Sequence, residues 1–240
     1  MEKNFWLSRM PEPSPEQLDS FFNILNFDDV RVIVWDLDQV LSNSEAPVKQ
    51  AFFEETGFDY RDKLVDRWRA LAHWTFEAGL MPLAEAEDIE ARLWRNTSIL
   101  GKAPPNKEMI EYSKKAFTKG IKQFIVTSRP GDDDHYEATI RWRNEHCSWI
   151  PATHIRIRDK NDKMDGGTFK AEIIASIQPD VMFEDSPAHV KEVLKGIENI
   201  RIVLFARGAE RGMVNDERVI EVPNMQVFGE AYRLFHKKLY

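Results

Sequence analysis

Carboxylates and a hydroxyl stand directly after several apolar, strand-like segments of this 240-residue chain. Asp36 and Asp38 follow the first segment, Thr127 ends the second, and Glu184 and Asp185 end a later one. An aspartate that ends a single strand is explained by turn chemistry. The carboxyl ends of parallel strands, however, meet at one edge of a sheet, which is where ligands bind. Polar residues at several strand ends therefore indicate a site.

These residue types suit the transfer of a phosphoryl group to a carboxylate. A carboxylate can attack phosphorus and so divide hydrolysis into two easier steps. Asp36 and Asp185 would supply the hard oxygen ligands that Mg²⁺ prefers, and the cation would neutralise the phosphate. The hydroxyl of Thr127 and the ammonium of Lys170 would bind phosphate oxygens. Asp38 lies two residues beyond Asp36, on the same side of the strand, and is expected to act as general acid–base.

The pattern of the chain predicts the sheet that would position these residues. Segment 30–35 is β-branched and almost wholly apolar, which is typical of a buried parallel strand. Further strands are predicted near 122–127, 154–158, 181–184, 201–206 and 218–222. Helices are predicted between and after them, near 107–119, 134–146, 168–177, 187–195 and 225–237. This alternation predicts an α/β fold with a Rossmann-like parallel sheet sandwiched by helices.

Two segments stand outside the alternation. Residues 1–29 form an N-terminal extension, in which Pro11 and Pro13 break regular structure, while Ser14 and Gln17 predict the capping box of a short helix. Residues 44–103 have the pattern of helices without a strand. We therefore expect a catalytic core formed by residues 30–43 and 104–240, with a helical insertion after the first strand that can cover the strand ends.

One apolar stripe at helical spacing lies within the insertion, and we expect it to pack into the core. It consists of Leu64, Trp68, Leu71, Ala72, Thr75 and Phe76. His73 and Trp74 fall off the stripe. Packing and surface positions are expected for these two residues, rather than positions that line a substrate pocket.

Four segments, VIVWDLDQVL, FIVTSRP, GGTFKAEII and VMFEDSPAH, resemble in their order the four motifs of the haloacid dehalogenase-like (HAD) hydrolase superfamily. The resemblance covers about residues 30–206 apart from the insertion, which would be the cap of such a protein. It implies a HAD-like core and Mg²⁺ as cofactor. The residues it assigns are the nucleophile Asp36, the acid–base Asp38, the phosphate-binding Thr127 and Lys170, and the metal ligands Asp36, Asp185, the backbone carbonyl of Asp38 and, as one of two interpretations, Glu184.

A narrower resemblance extends from FIVTSRPGDDD through TIRWRNEHC to the lysine helix. This stretch is similar to the phosphatase domain of polynucleotide kinase-phosphatases, in which a Ser/Thr-Gly-Arg loop occurs at the same place. Ser128 and Arg129 are therefore expected beside the phosphate. Ser128 replaces the usual glycine and narrows the space there. Arg129 could reach a second phosphate or a ribose-linked group, and a surface ion pair is the alternative.

Three features refine the reaction that the motifs imply. Gln39 stands where the first motif usually has glycine, which should change the turn but removes no reacting group. His189 stands where the fourth motif often has a second aspartate. It could help to position the metal, or it could be a helix residue whose hydrogen bonds are satisfied locally, and both interpretations stay open. Asp38 is present, whereas superfamily members that cleave carbon–halogen bonds lack this acid. A phosphatase is therefore favoured over a dehalogenase.

Composition limits the partners. The net charge of −7 disfavours an extended nucleic-acid partner, because proteins that bind along nucleic acid need a stripe of basic residues on their surface. The single cysteine, Cys147, excludes an internal disulfide and a cysteine-based zinc site, and fits a reducing compartment. Apolar runs are far shorter than the roughly 20 residues of a membrane span. The first residues contain no signal-like apolar region, so a cytoplasmic location is expected.

The hypothesis that best fits these features is a Mg²⁺-dependent phosphatase acting on a small phosphomonoester, a nucleotide or a sugar phosphate. Its alternative is a nucleic-acid end phosphatase of the 3′ type, which the narrower resemblance suggests. A phosphate-binding protein without turnover is the third hypothesis, and the complete set of reacting groups argues against it.

Overall fold

The computed structural model describes residues 14–159, 161 and 163–237. Six strands form one sheet in the order β3-β2-β1-β4-β5-β6, and every neighbouring pair is parallel. The strands are β1 Val32–Trp35, β2 Lys122–Thr127, β3 Ile155–Ile157, β4 Val181–Glu184, β5 Arg201–Leu204 and β6 Val219–Glu221. The α-helices are α1 Pro15–Asn26, α2 Glu45–Thr56, α3 Ala70–Glu77, α4 Leu83–Leu93, α5 Thr97–Leu100, α6 Lys107–Thr118, α7 Asp133–His146, α8 Gly166–Ile177, α9 Pro187–Gly196 and α10 Met225–Lys237. The predicted Rossmann-like α/β fold is confirmed.

Both faces of the sheet are buried, which explains why its strands are almost continuously apolar. Neighbouring residues of a strand point to opposite faces. Trp35 and Phe183 belong to one apolar cluster, whereas Val34 and Met182, one residue earlier on the same strands, belong to the other. Trp35 stacks on Phe183 with ring centroids 4.4 Å apart. This packing aligns β1 and β4, so the residues that follow them emerge side by side.

The order of the strands reverses between β1 and β4. The chain runs from β1 outward to β2 and β3, then returns to the other side of β1 for β4, β5 and β6. In open parallel sheets a crevice forms at such a switch point, outside the carboxyl ends of the strands. The predicted carboxylates follow β1 or end β4, so the fold directs them to this crevice.

The N-terminal helix α1 is part of the folded core. Its predicted capping box is present: the backbone N–H of Gln17 donates to Ser14 Oγ at 3.2 Å, and that of Ser14 donates to Gln17 Oε1 at 2.9 Å. The amide of Gln17 also donates to the carbonyl of Val219 on the edge strand β6, at 2.8 Å. The helix therefore covers one edge of the sheet. Pro11 and Pro13 lie outside the described residues.

The segment 44–103 contains helices α2 to α5 and no strand, as predicted. It has an apolar cluster of its own, which includes Val48, Phe52, Leu71, Trp74 and Leu93. None of the described helices is long and apolar enough to span a membrane. The division of the chain into a core and a cap domain stays a prediction.

The predicted apolar stripe of the insertion is wrong in part. Helix α3 begins only at Ala70, so Leu64 and Trp68 precede it and are 88% and 58% exposed. Helical spacing has no meaning across this loop, which the ammonium of Lys49 holds by contacts with two loop carbonyls. Phe76 is 51% exposed, whereas Trp74, off the stripe, is buried.

The start of α8 also differs from the prediction. Gly166 and Gly167 were expected in a loop but form the first turn of the helix, because Asp165 accepts hydrogen bonds from the N–H groups of Gly167 and Thr168. Glycine is needed there for space: a Cβ at Gly166 would lie 2.8 Å from the Cβ of Ser128. Small residues thus let the lysine helix approach the loop after β2.

Candidate active site

Asp36 and Glu184 lie on adjacent strand ends at the switch point. The N–H of Asp36 donates to the carbonyl of Phe183 at 2.9 Å, which continues the β1–β4 pairing into the site. Lys170 reaches the same place from α8, and its Nζ lies 2.8 Å from Asp36 Oδ1 and 2.7 Å from Glu184 Oε2. The lysine side chain is fully buried. Three predicted residues that are far apart in sequence therefore form one ion-pair network.

The charges of this network are unequal. Burial, reinforced by the charge of Glu184, raises the pKa of Asp36 well above its usual range in spite of Lys170. Burial opposes the charge of Lys170, but Asp36 and Glu184 outweigh it and raise the pKa of the ammonium. Glu184 is also opposed by burial, yet Lys170 and His189 hold its pKa below the usual range. Lys170 and Glu184 are therefore charged, and Asp36 shares the single ammonium of Lys170 with Glu184.

Three carboxylates form a cluster that suits a divalent cation. One oxygen each of Asp36, Glu184 and Asp185 lies within 4.8 Å of the other two. Burial raises the pKa of Asp185 to about 6, with Arg207 opposing and Glu184 adding to the rise. Hard oxygen donors whose negative charge is unfavourable without a cation fit Mg²⁺. Asp36 Oδ2 and Asp185 Oδ1 have no hydrogen-bond partner among the described residues, so both oxygens are available to a ligand.

Glu184 differs from the other two carboxylates because the protein engages both of its oxygens. Oε2 receives Lys170, while Oε1 accepts the backbone N–H groups of Asp185 at 3.3 Å and Ser186 at 3.2 Å. His189 Nδ1 lies 3.2 Å from the same Oε1. These contacts favour the interpretation in which Glu184 orients its neighbours over the one in which it is a ligand. They also place His189 in contact with the network.

Asp38 is held by a buried arginine. Arg129 donates from Nε to Asp38 Oδ2 at 2.8 Å and from Nη2 to Oδ1 at 2.6 Å, and Ser44 Oγ also donates to Oδ1. The same guanidinium contacts Thr139 Oγ1 at 3.2 Å. Burial opposes the charge of Asp38, but Arg129 and Ser44 outweigh it and lower the pKa of the carboxyl. Arg129 does form an ion pair, as one interpretation expected, but the pair is not at the surface.

Thr127 and Ser128 continue the site along β2. The side chain of Thr127 is buried, and its Oγ1 accepts the backbone N–H of Arg129 at 3.3 Å. Ser128 faces Gly166 of α8, as described above. The loop after β2 and the lysine helix therefore enclose one side of the crevice, where the sequence predicts the phosphate.

Two residues near the site were not predicted. Arg207, which follows β5 at the same sheet edge, places its Nη2 2.5 Å from Asp185 Oδ2. A polar residue after an apolar strand is the signal that identifies Asp36. Arg207 carries the same signal, but it lies beyond the motif resemblance, which ends at residue 206. Ser44, which contacts Asp38, stands at the N-cap of α2 and carries no motif signal.

Comparisons with known proteins bear on the fold. No protein-family model matches the chain, and no curated protein matches it. The structure of protein tyrosine kinase A (PtkA) of Mycobacterium tuberculosis is similar, with a TM-score of 0.53 and 15% identity, over 85% of this chain and 99% of that one. A structure assigned as a β-phosphoglucomutase from Bacteroides vulgatus has a TM-score of 0.50 and 14% identity, over 92% of this chain and 97% of that one.

A hydrolase of the haloacid dehalogenase-like family from Streptococcus pneumoniae is also similar, with a TM-score of 0.49 and 11% identity, over 80% of this chain and 93% of that one. The names of the first two structures describe a kinase and a mutase, so the shared architecture does not select an activity. It does support the architecture that the four motifs predict. The chain therefore shares the α/β fold of the PtkA and β-phosphoglucomutase structures.

Proposed function

We propose that this chain is a Mg²⁺-dependent phosphatase that hydrolyses phosphomonoesters of a small molecule, a nucleotide or a sugar phosphate. The observation that carries the proposal is the buried contact of Lys170 with both Asp36 and Glu184. Lys170 binds Asp36 Oδ1, so the carboxylate is oriented while Oδ2 stays available to attack phosphorus. A nucleophile held in one geometry by a cation is typical of covalent catalysis.

In the first step Asp36 Oδ2 forms a bond to phosphorus as the bond from phosphorus to the ester oxygen breaks. Asp38 donates a proton to the departing oxygen, which leaves as an alcohol. The product on the protein is an aspartyl-phosphate at Asp36. Thr127, Ser128 and the N–H groups of their loop bind the phosphate oxygens.

In the second step Asp38 takes a proton from water, which attacks phosphorus and releases inorganic phosphate and the carboxylate of Asp36. The ion pair with Arg129 favours the charged form of Asp38, which is the form that this step needs. The first step needs the protonated form instead. Esters with a good leaving group should therefore depend less on Asp38 than alkyl esters do.

Asp36 and Asp185, with the backbone carbonyl of Asp38, are the residues that would hold Mg²⁺. The cation, when bound, neutralises phosphate charge and orients the displacement. Glu184 and Arg207 position Asp185 through the contacts described above, and such supporting residues matter for metal affinity.

The insertion supports a small substrate. It leaves the core directly after Ser42 and Asn43, next to Asp38, and residues 44–103 can restrict access to the strand ends. The net charge of −7 disfavours a long polyanion. The narrower resemblance to polynucleotide kinase-phosphatases favours the alternative of a nucleic-acid end phosphatase, which the same assay distinguishes.

The test is a panel of phosphorylated sugars, nucleotides and oligonucleotides, assayed with and without Mg²⁺. We expect Mg²⁺-dependent release of phosphate from small esters. Asp36→Asn should lose on the order of 10³-fold or more, because a carboxamide is no nucleophile. Asp19→Asn on the exposed face of α1 is the matched control and should keep full activity. Turnover by Asp36→Asn would contradict the proposal. A preference for oligonucleotides that falls steeply with salt would establish the alternative.

A further inference from the structure

The helical insertion contacts the core beside the candidate active site, just after strand β5. The contact is made by the loop 57–69 between α2 and α3, which we call the docking loop. The backbone N–H of Ala209 donates to the carbonyl of Asp66 in this loop at 3.0 Å. The two backbones are close, because a Cβ at Gly208 would lie 3.8 Å from the Cβ of Asp66. The docking loop therefore lies against the turn 207–210 that follows β5.

This turn begins with Arg207, the residue that contacts the metal-site carboxylate Asp185. The two side chains are only 14% and 13% exposed. Burial opposes the charge of the guanidinium, but three neighbouring carboxylates outweigh it and raise the pKa of Arg207. They belong to Asp185, Glu210 and Glu45. Because Glu45 lies in the first turn of α2, the charge of Arg207 is stabilised from the insertion as well as from the core.

Lys49 connects Glu45 with the docking loop. Its Nζ lies 2.9 Å from Glu45 Oε1 and donates to the carbonyls of Arg61, at 3.3 Å, and Lys63, at 2.5 Å. The lysine side chain is only 7% exposed. Opposite charges therefore alternate from the insertion to the candidate metal site, in the order Lys49, Glu45, Arg207 and Asp185.

The insertion is held more firmly on the other side of the crevice. There the indole Nε1 of Trp142, on α7, donates to the carbonyl of the buried Ala103 at 2.7 Å. The two linkers to the core are joined as well, since the N–H of Asn43 donates to the carbonyl of Pro104 at 2.8 Å. In the docking loop, by contrast, Leu64 is 88% exposed. A segment with few buried contacts opens at the lowest cost, so the docking loop is the part of the insertion that separates from the core most readily.

We propose that the docking loop is a positioning element of the metal site: in contact with the turn 207–210 it holds Arg207 against Asp185, and Mg²⁺ then binds more tightly. The inference rests on the metal site of the proposed function and adds its regulation by the insertion. A carboxylate whose second oxygen is fixed by an ion pair loses less freedom when it binds a cation. The coupling is reciprocal, so Mg²⁺ must favour the closed loop by the same factor.

The first test measures Mg²⁺ affinity by calorimetric titration without substrate. Lys49→Met loosens the docking loop without removing a group that contacts Asp185. We expect it to weaken Mg²⁺ binding by about fivefold, the low end of coupling between sites. Loss of a positive charge would by itself strengthen the binding of a cation, so a tighter complex would contradict the proposal. Lys195→Met removes an ammonium from an exposed pair with Glu192 and is the matched control, which should not weaken binding.

A disulfide should restore the affinity that Lys49→Met loses. The 3.8 Å between the Cβ of Asp66 and a Cβ at Gly208 is the usual separation in a disulfide. We combine Lys49→Met with Asp66→Cys and Gly208→Cys and compare the oxidised protein with the same protein reduced by dithiothreitol. The oxidised form should bind Mg²⁺ about fivefold more tightly. A purely structural role of Lys49 would leave the affinity equal in the two redox states.

Reciprocity provides a second measurement that needs no variant and decides the question if Lys49→Met does not fold. The docking loop has exposed trypsin sites at Arg61, Lys63 and Arg69. Mg²⁺ alone should slow cleavage at these sites by about fivefold, because cleavage follows the population of the open loop. Cleavage at the exposed Lys195, followed in the same digest by mass spectrometry, should be unchanged. Loop cleavage at the same rate with saturating Mg²⁺ would overturn the proposal.

Two results separate the inference from the function on which it rests. If the unaltered chain binds Mg²⁺, but the redox state of the triple variant does not change the affinity, the role of the docking loop is overturned and the phosphatase proposal stands. If the unaltered chain binds no Mg²⁺, the metal site of the proposed function is overturned, and the role of the docking loop with it.

Discussion

The sheet edge of the core and the helical insertion both contain ion pairs, but in different surroundings. In the core the pair Lys170–Glu184 has both side chains fully buried. In the insertion the pair Arg61–Asp59 has side chains 43% and 49% exposed. An exposed pair contributes little to stability. A buried pair must overcome the desolvation of both charges, and breaking it leaves one charge unpaired. The comparison therefore separates a buried charge network at the sheet edge from charges that only solvate a surface.

Lys170→Met should have the largest effect. It leaves Asp36 and Glu184 buried together without their cation, and loss of one partner from a buried pair costs about 3–5 kcal/mol. We expect the free energy of unfolding in a denaturant titration to fall by that amount, together with loss of phosphatase activity.

Arg92→Met is the counterpart in the insertion. It removes the partner of Glu55 from a pair whose side chains are 57% and 35% exposed. Its unfolding curve should overlap that of the unaltered chain. If Lys170→Met were as harmless as Arg92→Met, the contrast between the two regions would be unfounded.

Leu71→Ala and Leu64→Ala compare buried and exposed positions within the insertion itself. Leu71 is 2% exposed and belongs to its apolar cluster, so truncation should cost about 2–5 kcal/mol. Leu64 is 88% exposed, so its truncation should leave stability nearly unchanged. Both values come from chemical denaturation. Equal losses of unfolding free energy in the two variants would mean that Leu64 is buried, as the predicted helical stripe requires.

Arg207→Met tests the ion pairs of the core through metal binding instead of stability. Loss of the contact with Asp185 should weaken Mg²⁺ binding by about tenfold, the lower range for a residue that supports a ligand. Calorimetric titration with Mg²⁺ measures this without substrate. Removing a positive charge would by itself strengthen binding, so a tighter complex would contradict the positioning role. Arg218→Met, which breaks the partly exposed pair with Asp216, is the control and should leave Mg²⁺ affinity unchanged.

The buried thiol of Cys147 shows how burial affects a titratable group of the core that lies away from the candidate site. Burial raises the pKa of its thiol from 9.0 to about 12, with Arg143 opposing the rise. The folded state therefore retains a proton that the unfolded state loses, and stability that is present below pH 9 is lost as the pH rises toward 12. Between pH 9 and 10 the unfolding free energy of Cys147→Ala should fall less than that of the unaltered chain. The difference over this one pH unit should be about 1 kcal/mol, because the unfolded thiol is half ionised at pH 9 and almost fully ionised at pH 10. Identical pH dependence would mean that the thiol is accessible to water.

The fold of the core could be predicted because its signals are local and repeated. Strands β2 and β4 and helix α10 have the predicted bounds, and β1 and β5 are two residues shorter than expected, at one end each. Strands buried on both faces are recognisable from composition alone. The insertion lacks that signal. The loop before α3 is held by the buried Lys49, a tertiary contact that no periodicity reveals.

The candidate site could be predicted only where its residues follow strands or match motifs. Asp36 and Glu184 lie side by side because parallel strands bring their ends together, and Lys170 reaches both from helix α8. The contact of Arg207 with Asp185 could not be predicted, because it depends on side-chain geometry. Sequence patterns specify which residues approach one another, but they do not specify which oxygen of a carboxylate a cation binds.

The most direct test of the central claim is to look for the covalent intermediate on Asp36. The chain is mixed with Mg²⁺ and a good phosphomonoester substrate, quenched in acid within the first turnover, digested and examined by mass spectrometry. We predict one phosphoryl group on the peptide that contains Asp36, and none in Asp36→Asn. Phosphate release from the unaltered chain at full rate, with no phosphorylated Asp36 at any quench time, would contradict the account.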